Sequence, residues 1–279
     1  MQRRHFLARS GLAAALPAAL EAQRPAAATG RLKQSVCRWC YGKTPIDDLA
    51  AACVKLGVEA IDLVSPKEWD AVRRHGLKLT VVPGPTSIPD GLNRRENHDA
   101  VEQRFRAMIE DAARAQAHSI IVFSGNRKGM GDEEGAENCV IGLNRLKKYA
   151  EDRGILIVME LLNSKVDHRD YMCDRTPWGA RVVQEVNSPC VKLLYDIYHM
   201  QIMEGDLIRT IRDYKDWIGH YHTGGNPGRN EIDDTQEIYY PAVARAIAET
   251  GFNGYFAHEF IPKREPLVSL AEAVKICTV

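Results

Sequence analysis

The 279-residue sequence has no excess of either charge, no long apolar run and no glycine-rich nucleotide motif. Lysine and arginine together number 37, as do aspartate and glutamate, so a surface that binds nucleic acid is not expected. The apolar segment at residues 11–20 is too short to span a bilayer, so no stable membrane anchor is expected. No Gly-x-Gly-x-x-Gly follows a predicted strand, which removes the usual sign of a dinucleotide site.

The cysteines lack the paired spacing of a zinc site or a disulfide framework. The one close pair is Cys37 and Cys40, in the strand predicted for residues 35–41. Positions three apart on a strand point to opposite faces, which is poorly suited to binding one metal. We therefore expect most of the cysteines to be packing residues. The seven are Cys37, Cys40, Cys53, Cys139, Cys173, Cys190 and Cys277.

The first 29 residues have the layout of an export signal. Arg3 and Arg4 precede Phe6, and a mildly apolar Ala/Leu stretch that ends in small residues follows. This order is typical of a twin-arginine signal peptide, with a basic amphipathic helix as the alternative. It predicts export to the periplasm by the twin-arginine route and a mature domain of residues 30–279.

Beyond residue 30, short apolar β-branched runs alternate with longer amphipathic stretches. Apolar residues in the longer stretches recur every three and four positions, as in helices, and several stretches end at a glycine such as Gly57, Gly154 or Gly251. Parallel strands need helical crossovers, so this alternation predicts a single α/β domain folded as a (β/α)₈ barrel. An open doubly wound sheet is the alternative. The eight predicted strands are 35–41, 59–64, 77–82, 119–125, 155–161, 191–196, 218–223 and 254–260. The seven predicted helices are 47–57, 98–117, 142–154, 178–186, 206–217, 241–251 and 265–276.

The last four predicted strands each end in a side chain that can bind a metal. Glu160 ends the fifth strand, Asp196 the sixth, His222 the seventh and Glu259 the eighth. Singly, such a carboxylate is more often a helix cap and such a histidine more often a core residue. In a closed barrel, however, the carboxyl ends of neighbouring strands meet at the mouth, where active sites lie. The four residues therefore predict one site.

The composition of this site predicts a divalent metal and proton-transfer chemistry. Three carboxylates in a partly dry cleft repel one another, and a cation removes that conflict. Three oxygen ligands and one imidazole suit Mn²⁺ or Mg²⁺ best, with Co²⁺ and Fe²⁺ as alternatives and Zn²⁺ less suited. A metal that polarises a carbonyl and a neighbouring hydroxyl acidifies the C–H between them. Glu160 and Glu259, on opposite sides, are then the predicted proton-transfer pair of an aldose/ketose-type isomerisation.

Two further residues are predicted to contact the substrate. His199 lies three positions beyond Asp196, in the loop that follows a strand end, within reach of a substrate hydroxyl. Arg229 follows His222 by seven residues in a Gly/Pro-rich loop and is suited to bind a substrate carboxylate with two hydrogen bonds. The alternatives are a structural role for His199 and a solvated loop position for Arg229.

Four segments resemble, in order and spacing, the xylose isomerase-like TIM barrels, and most closely the hydroxypyruvate isomerase family. They are ELLNS, YDIYHMQ, HYHTGGNPGRNEIDDTQEIYYP and GYFAHEF. The resemblance implies that the four strand-end residues hold the metal and that Glu160 and Glu259 transfer protons. It implies substrate contacts from His199 and Arg229, and a small keto acid or keto-sugar substrate, with hydroxypyruvate and tartronate semialdehyde as the named pair.

The same resemblance leaves two other functions open. The related ketose 3-epimerases share the metal quartet, the histidine after the aspartate and a similarly placed arginine, so a keto-sugar 3-epimerase or a dehydratase is the second hypothesis. A non-catalytic periplasmic sugar-acid binder is the third. The chain departs from the hydroxypyruvate isomerase pattern at Asn230, where histidine is usual. Barrels of this type often associate, so a homo-oligomer is compatible with the sequence.

Overall fold

The computed structural model describes residues 32–279, so the predicted signal peptide lies outside the described residues. All strand pairs in this part are parallel. The strands are β1 Lys33–Cys37, β2 Ala60–Asp62, β3 Lys78–Leu79, β4 Val81–Val82, β5 Ser119–Val122, β6 Leu156–Leu161, β7 Val191–Asp196, β8 Ile218–Thr223 and β9 Tyr255–His258.

The nine strands form one sheet that returns almost completely on itself. Their order is β3-β2-β1-β9-β8-β7-β6-β5-β4. The two ends of this order, β3 and β4, are pieces of the single strand predicted for residues 77–82, divided at Thr80. The backbone N–H of Leu63, just after β2, donates to the carbonyl of Val81 in β4 at 2.6 Å. The predicted α/β barrel is therefore confirmed as a nearly closed one, with its third predicted strand split in two.

Nine α-helices of residues 32–279 connect or flank the strands. Seven correspond to predicted helices, whereas α2 and α6 were not predicted. Gly57 and Gly154 end α1 and α4 in the left-handed conformation that favours glycine. Among the helices of residues 32–279, none combines the length and the hydrophobicity that a membrane-spanning helix requires. The helices are α1 Ile46–Leu56, α2 Trp69–Arg74, α3 His98–Arg114, α4 Asp132–Arg153, α5 Thr176–Val186, α6 Ile197–Met203, α7 Leu207–Tyr214, α8 Tyr240–Glu249 and α9 Pro266–Ile276.

Several element boundaries differ from the prediction, and the two largest differences are at the end of the first strand and at the start of α4. The strand predicted for residues 35–41 ends at Cys37, and the chain then forms a 3₁₀ turn, in which the Arg38 guanidinium donates to the Tyr41 carbonyl at 2.6 Å. Helix α4 begins at Asp132, where the apolar repeat predicted a start at residue 142. The apolar repeat missed this first part because its buried residues are small or polar, namely Gly135, Ala136, Asn138 and Cys139.

The barrel interior is apolar in the middle and polar towards the carboxyl ends of the strands. Val158 and Leu194 belong to a buried apolar cluster inside the barrel. Side chains two positions apart on a strand point to the same side, so Glu160 and Asp196 lie above these two residues along β6 and β7. The polar end of the interior is therefore the mouth where the predicted site lies.

The loops that follow β8 and β9 are joined to each other. Glu231 Oε1 accepts hydrogen bonds from the backbone N–H groups of Lys263 at 2.8 Å and Arg264 at 3.0 Å. The Ile261 N–H donates to the carbonyl of Arg229 at 2.7 Å. These bonds fix the backbone position of Arg229 relative to the end of β9.

Candidate metal and active site

The four residues predicted to bind a metal come together at the barrel mouth. Glu160 lies in β6, Asp196 ends β7, His222 lies in β8 and Glu259 directly follows β9. Each offers one ligand atom, and these atoms lie within 4.8 Å of one another. All four residues are buried. The structure thus groups all the predicted ligands on neighbouring strands.

The imidazole of His222 directs Nδ1 at the carboxylates. This atom lies 3.3 Å from Glu160 Oε1 and 2.7 Å from Glu259 Oε2, and it makes no well-aligned hydrogen bond within residues 32–279. Three buried carboxylates beside an imidazole nitrogen match the donor set that hard divalent cations accept. The residues present therefore fit a divalent metal, with Nδ1 as the nitrogen ligand.

The protein environment shifts the pKa of each carboxyl group in this cluster. Burial raises the pKa of Glu160, and it raises the pKa of Asp196 to about 7. Burial also acts to raise the pKa of Glu259, but the charges of Arg229 and His222 outweigh burial and hold it well below its usual range. The two glutamates are therefore in electrostatically different environments, as expected of a pair with different roles.

Asp196 caps a helix with one carboxylate oxygen and faces the other predicted ligands with its second oxygen. Its Oδ1 accepts a hydrogen bond from the backbone N–H of His199 at 3.1 Å and so caps helix α6. Its Oδ2 lies 2.8 Å from Nη2 of Arg229, on the side of the metal-ligand cluster. The residue therefore starts a helix with one oxygen and contributes the other to the site.

His199 lies in α6, rather than in the loop that the sequence predicted, and is fully buried. Its Nε2 is 3.6 Å from Asp196 Oδ2 and has no hydrogen-bond partner within the described chain. Its Nδ1 is 2.6 Å from Nδ2 of Asn163. Burial holds the pKa of His199 well below its ordinary value. The structure places His199 beside the predicted ligands, and its substrate contact stays a prediction.

Arg229 lies at the site, but its guanidinium contacts the predicted metal ligands. The residue adopts a left-handed backbone with φ 56°. Its guanidinium lies between the rings of Trp39 and Tyr198, 5.4 Å from each centroid. Its Nη2 contacts the carboxylates of both Asp196 and Glu259. Arg229 thus compensates buried negative charge, and its predicted contact with a substrate carboxylate stays a prediction.

Asp62, at the end of β2, lies beside the ring nitrogen of His222 that faces away from Glu160 and Glu259. The sequence did not identify this residue. Asp62 Oδ2 lies 3.4 Å from His222 Nε2 and 2.7 Å from His220 Nε2. Its Oδ1 accepts a hydrogen bond from the Thr80 hydroxyl. A carboxylate that holds the far nitrogen of a metal-binding histidine fixes its orientation and tautomer. The second strand was predicted to continue to residue 64, two positions beyond Asp62, so the strand-end rule applied to the last four strands did not select this residue. In the structure the strand ends at Asp62.

Two residues at the end of β1 and in the turn after it also reach the site. Trp39 Nε1 donates a hydrogen bond to Glu259 Oε1 at 2.6 Å. Cys37 Sγ lies 3.7 Å from His222 Nε2, and burial raises the pKa of its thiol. The prediction of Cys37 as a packing residue omitted this contact. No sequence pattern indicated Trp39, because the residues 35–41 read as one strand.

Comparison with known proteins identifies the family. A model of the xylose isomerase-like TIM barrel family matches residues 38–277. The chain belongs to this family. The match spans nearly all of the described residues and includes the four segments that carry the resemblance.

The curated relatives include several named as isomerases. A putative hydroxypyruvate isomerase from Danio rerio is 26% identical over 238 residues, covering 85% of this chain and 83% of that protein. The hydroxypyruvate isomerase of Escherichia coli K12 is 35% identical over 127 residues, covering 46% of this chain and 47% of that protein. A 2-oxo-tetronate isomerase from Pectobacterium atrosepticum is 25% identical over 246 residues, with coverages of 80% and 89%.

Solved structures share the fold of this family member. An AP endonuclease, family 2, from Brucella melitensis superposes with a TM-score of 0.79 at 19% identity, covering 86% of this chain and 98% of that one. A D-psicose 3-epimerase superposes with a TM-score of 0.69 at 19% identity, with coverages of 88% and 90%. At these identities the likeness concerns the barrel alone.

Proposed function

We propose that this isomerase interconverts a small hydroxy-keto acid and its aldehyde isomer, with hydroxypyruvate and tartronate semialdehyde as the substrate pair. The observation that carries the proposal is the pair of buried carboxylates beside one imidazole nitrogen. Glu160 Oε1 and Glu259 Oε2 lie 3.3 Å and 2.7 Å from His222 Nδ1. A binder has no need of such an acid/base pair, whereas a proton-transfer enzyme does.

A divalent cation held by Glu160, Asp196, His222 and Glu259, best Mn²⁺ or Mg²⁺ with Co²⁺ as an alternative, would polarise the substrate carbonyl and acidify the neighbouring C–H. One glutamate removes a proton from C3 of hydroxypyruvate, which leaves an enediolate. The other glutamate delivers a proton to C2. The C3 hydroxyl loses its proton as C3 becomes the aldehyde, and the C2 oxygen gains one, so the reaction needs no redox partner.

A substrate panel tests the reaction. Purified protein with Mg²⁺ is given hydroxypyruvate, 2-oxo-tetronate or D-fructose in deuterated water, and the products are followed by NMR. Isomerisation of hydroxypyruvate is expected to place solvent deuterium on C2 of the product. Metal analysis of the protein as purified, before Mg²⁺ is added, identifies the bound ion.

Replacement of Glu259 tests the catalytic assignment. Because one member of the proton-transfer pair is lost, Glu259→Gln is expected to lower kcat by about 10²–10⁴-fold. The matched control is Glu102→Gln. Glu102 lies on α3 and pairs with Arg145 rather than with any residue of the quartet, so this variant is expected to retain activity. Unchanged turnover in Glu259→Gln would end the proposal.

The second candidate substrate is 2-oxo-tetronate, because the Pectobacterium relative is named a 2-oxo-tetronate isomerase and aligns over most of both chains. Faster turnover of 2-oxo-tetronate than of hydroxypyruvate would select it. Deuterium at C3 of a ketose would instead indicate an epimerase, and loss of water a dehydratase. Ligand binding without turnover of any compound would indicate a sugar-acid binder.

We also propose that the protein works in the periplasm after export by the twin-arginine route. The support is the order of Arg3, Arg4, Phe6 and the Ala/Leu stretch in the sequence. Expression of the full chain, followed by cell fractionation and N-terminal sequencing, tests this. Replacement of both arginines by lysine, in the double variant R3K/R4K, is expected to retain the protein in the cytoplasm.

A further inference from the structure

The side-chain amide of Asn163, two residues after β6, has a partner for each of its hydrogen-bonding positions. Its Oδ1 accepts from the backbone N–H groups of Val166 at 3.0 Å and Asp167 at 2.9 Å. Its Nδ2 lies 2.6 Å from Asp167 Oδ2 and 2.6 Å from His199 Nδ1. An asparagine amide offers two acceptor sites and two donor hydrogens, so its capacity is fully used.

These four partners determine which way the amide points. With the oxygen and nitrogen exchanged, Nδ2 would face two backbone N–H donors, and Oδ1 would face the carboxylate of Asp167. The first of these contacts would bring donors together and the second would bring acceptors together, and Asn163 is fully buried. The nitrogen of Asn163 therefore faces His199, and it does so as a donor.

A donor at Asn163 fixes the proton of the His199 ring. Because Nδ1 accepts from Asn163, it carries no proton, and the neutral ring must be protonated on Nε2. Within residues 32–279, the one carboxylate close to Nδ1 that would favour the other arrangement is that of Asp167, whose Oδ2 lies 4.0 Å away, beyond hydrogen-bond range. The contact with Asn163 at 2.6 Å is much closer.

The protonated Nε2 is directed into the proposed active site. It is fully buried, has no hydrogen-bond partner within residues 32–279, and lies 3.6 Å from Asp196 Oδ2 among the proposed ligands. We infer that Asn163 is a positioning residue that keeps the proton of His199 on Nε2, where the ring donates to the substrate oxygen that becomes negative in the enediolate. The catalytic part of this inference rests on the proposed function, whereas the position of the proton does not.

The position of the proton is measured directly in the unchanged protein. Histidine is labelled with ¹⁵N, Mg²⁺ is added as a diamagnetic ion, and two-bond ¹H–¹⁵N correlation spectra distinguish the two neutral tautomers and the imidazolium. The signal that disappears in His199→Gln identifies the residue. A ring protonated on Nε2 alone is expected. A ring protonated on Nδ1, or on both nitrogens, would overturn the inference without any activity measurement.

A variant pair then tests the role of Asn163. Asn163→Asp turns the donor into an acceptor, and Asp167→Asn in the same chain prevents repulsion between the two neighbouring carboxylates. In this double variant the proton is expected to move to Nδ1. Loss of one donor to a developing negative charge is expected to lower kcat by about 100-fold, with a smaller change in KM. Asp167→Asn alone is the control, in which the proton is expected to remain on Nε2.

The background variant His199→Gln separates positioning from a general structural effect. A glutamine amide places a donor close to the position of Nε2, independently of Asn163. In this background the double change at Asn163 and Asp167 is expected to cause little further loss of kcat. An equally large loss there would show that Asn163 acts through the loop rather than through His199. If the proton is on Nε2 but no substrate turns over, the proposed isomerase fails and the tautomer assignment stands.

Discussion

Asp62 offers a quantitative test of the proposed metal site, because it contacts the proposed ligand His222 but is not one of the four proposed ligands. Its Oδ2 lies 3.4 Å from His222 Nε2, opposite the Nδ1 atom that faces the carboxylates. Loss of such a supporting carboxylate commonly weakens metal binding by about 10–100-fold. A contact of 3.4 Å is long for a hydrogen bond. We therefore expect Asp62→Asn to weaken binding about tenfold, or about 1.4 kcal/mol.

Isothermal titration calorimetry with Mn²⁺ measures this change. Asp174→Asn is the matched control, since Asp174 is also buried but pairs with Arg127 outside the quartet. Urea unfolding of both variants reports the loss of stability separately. Equal Mn²⁺ affinity in Asp62→Asn and the unchanged protein would refute the orienting role of Asp62. If Asp174→Asn lost as much Mn²⁺ affinity as Asp62→Asn, the effect would be one of general destabilisation.

Three further changes test neighbouring features. Trp39→Phe removes the hydrogen bond to Glu259 but keeps an aromatic ring beside the guanidinium, and steady-state assays are expected to show kcat reduced about tenfold. Gly225→Ala places a methyl group onto the carbonyl of Glu231, so urea unfolding is expected to show a loss of about 1–3 kcal/mol. Burial lowers the pKa of His118 to about 4, so the unfolded chain binds more protons between pH 6.5 and 4. The free energy of unfolding should therefore fall on acidification through this window, by about 3 kcal/mol at most. It should fall less steeply in His118→Gln. Identical pH profiles of urea unfolding for this variant and the unchanged protein would contradict this.

The sequence was sufficient to predict the barrel and the grouping of the four proposed ligands. Both follow from local patterns: apolar runs mark the strands, and parallel strands in a barrel bring their carboxyl ends to one mouth. Glu160 and Asp196 could therefore be predicted as ligands without knowledge of contacts between distant segments. The same regularity accounts for the glycines that end α1 and α4.

The remaining parts of the site depend on contacts between segments distant in the sequence. Trp39 meets Glu259 across 220 positions of the chain, and no periodic pattern reports such a pair. The guanidinium of Arg229 turns towards Asp196 because the surrounding buried negative charge attracts it. Helix α6 is only seven residues long, too short for an apolar repeat to reveal it.

The hydrogen bonds from Lys263 and Arg264 to Glu231, and from Ile261 to the Arg229 carbonyl, matter for engineering of the enzyme. These bonds join the segment after β8 to the segment after β9. A graft of either segment alone from a related barrel would therefore leave the bonding groups of the other segment without partners. Chimeras intended to change substrate preference should exchange both segments together.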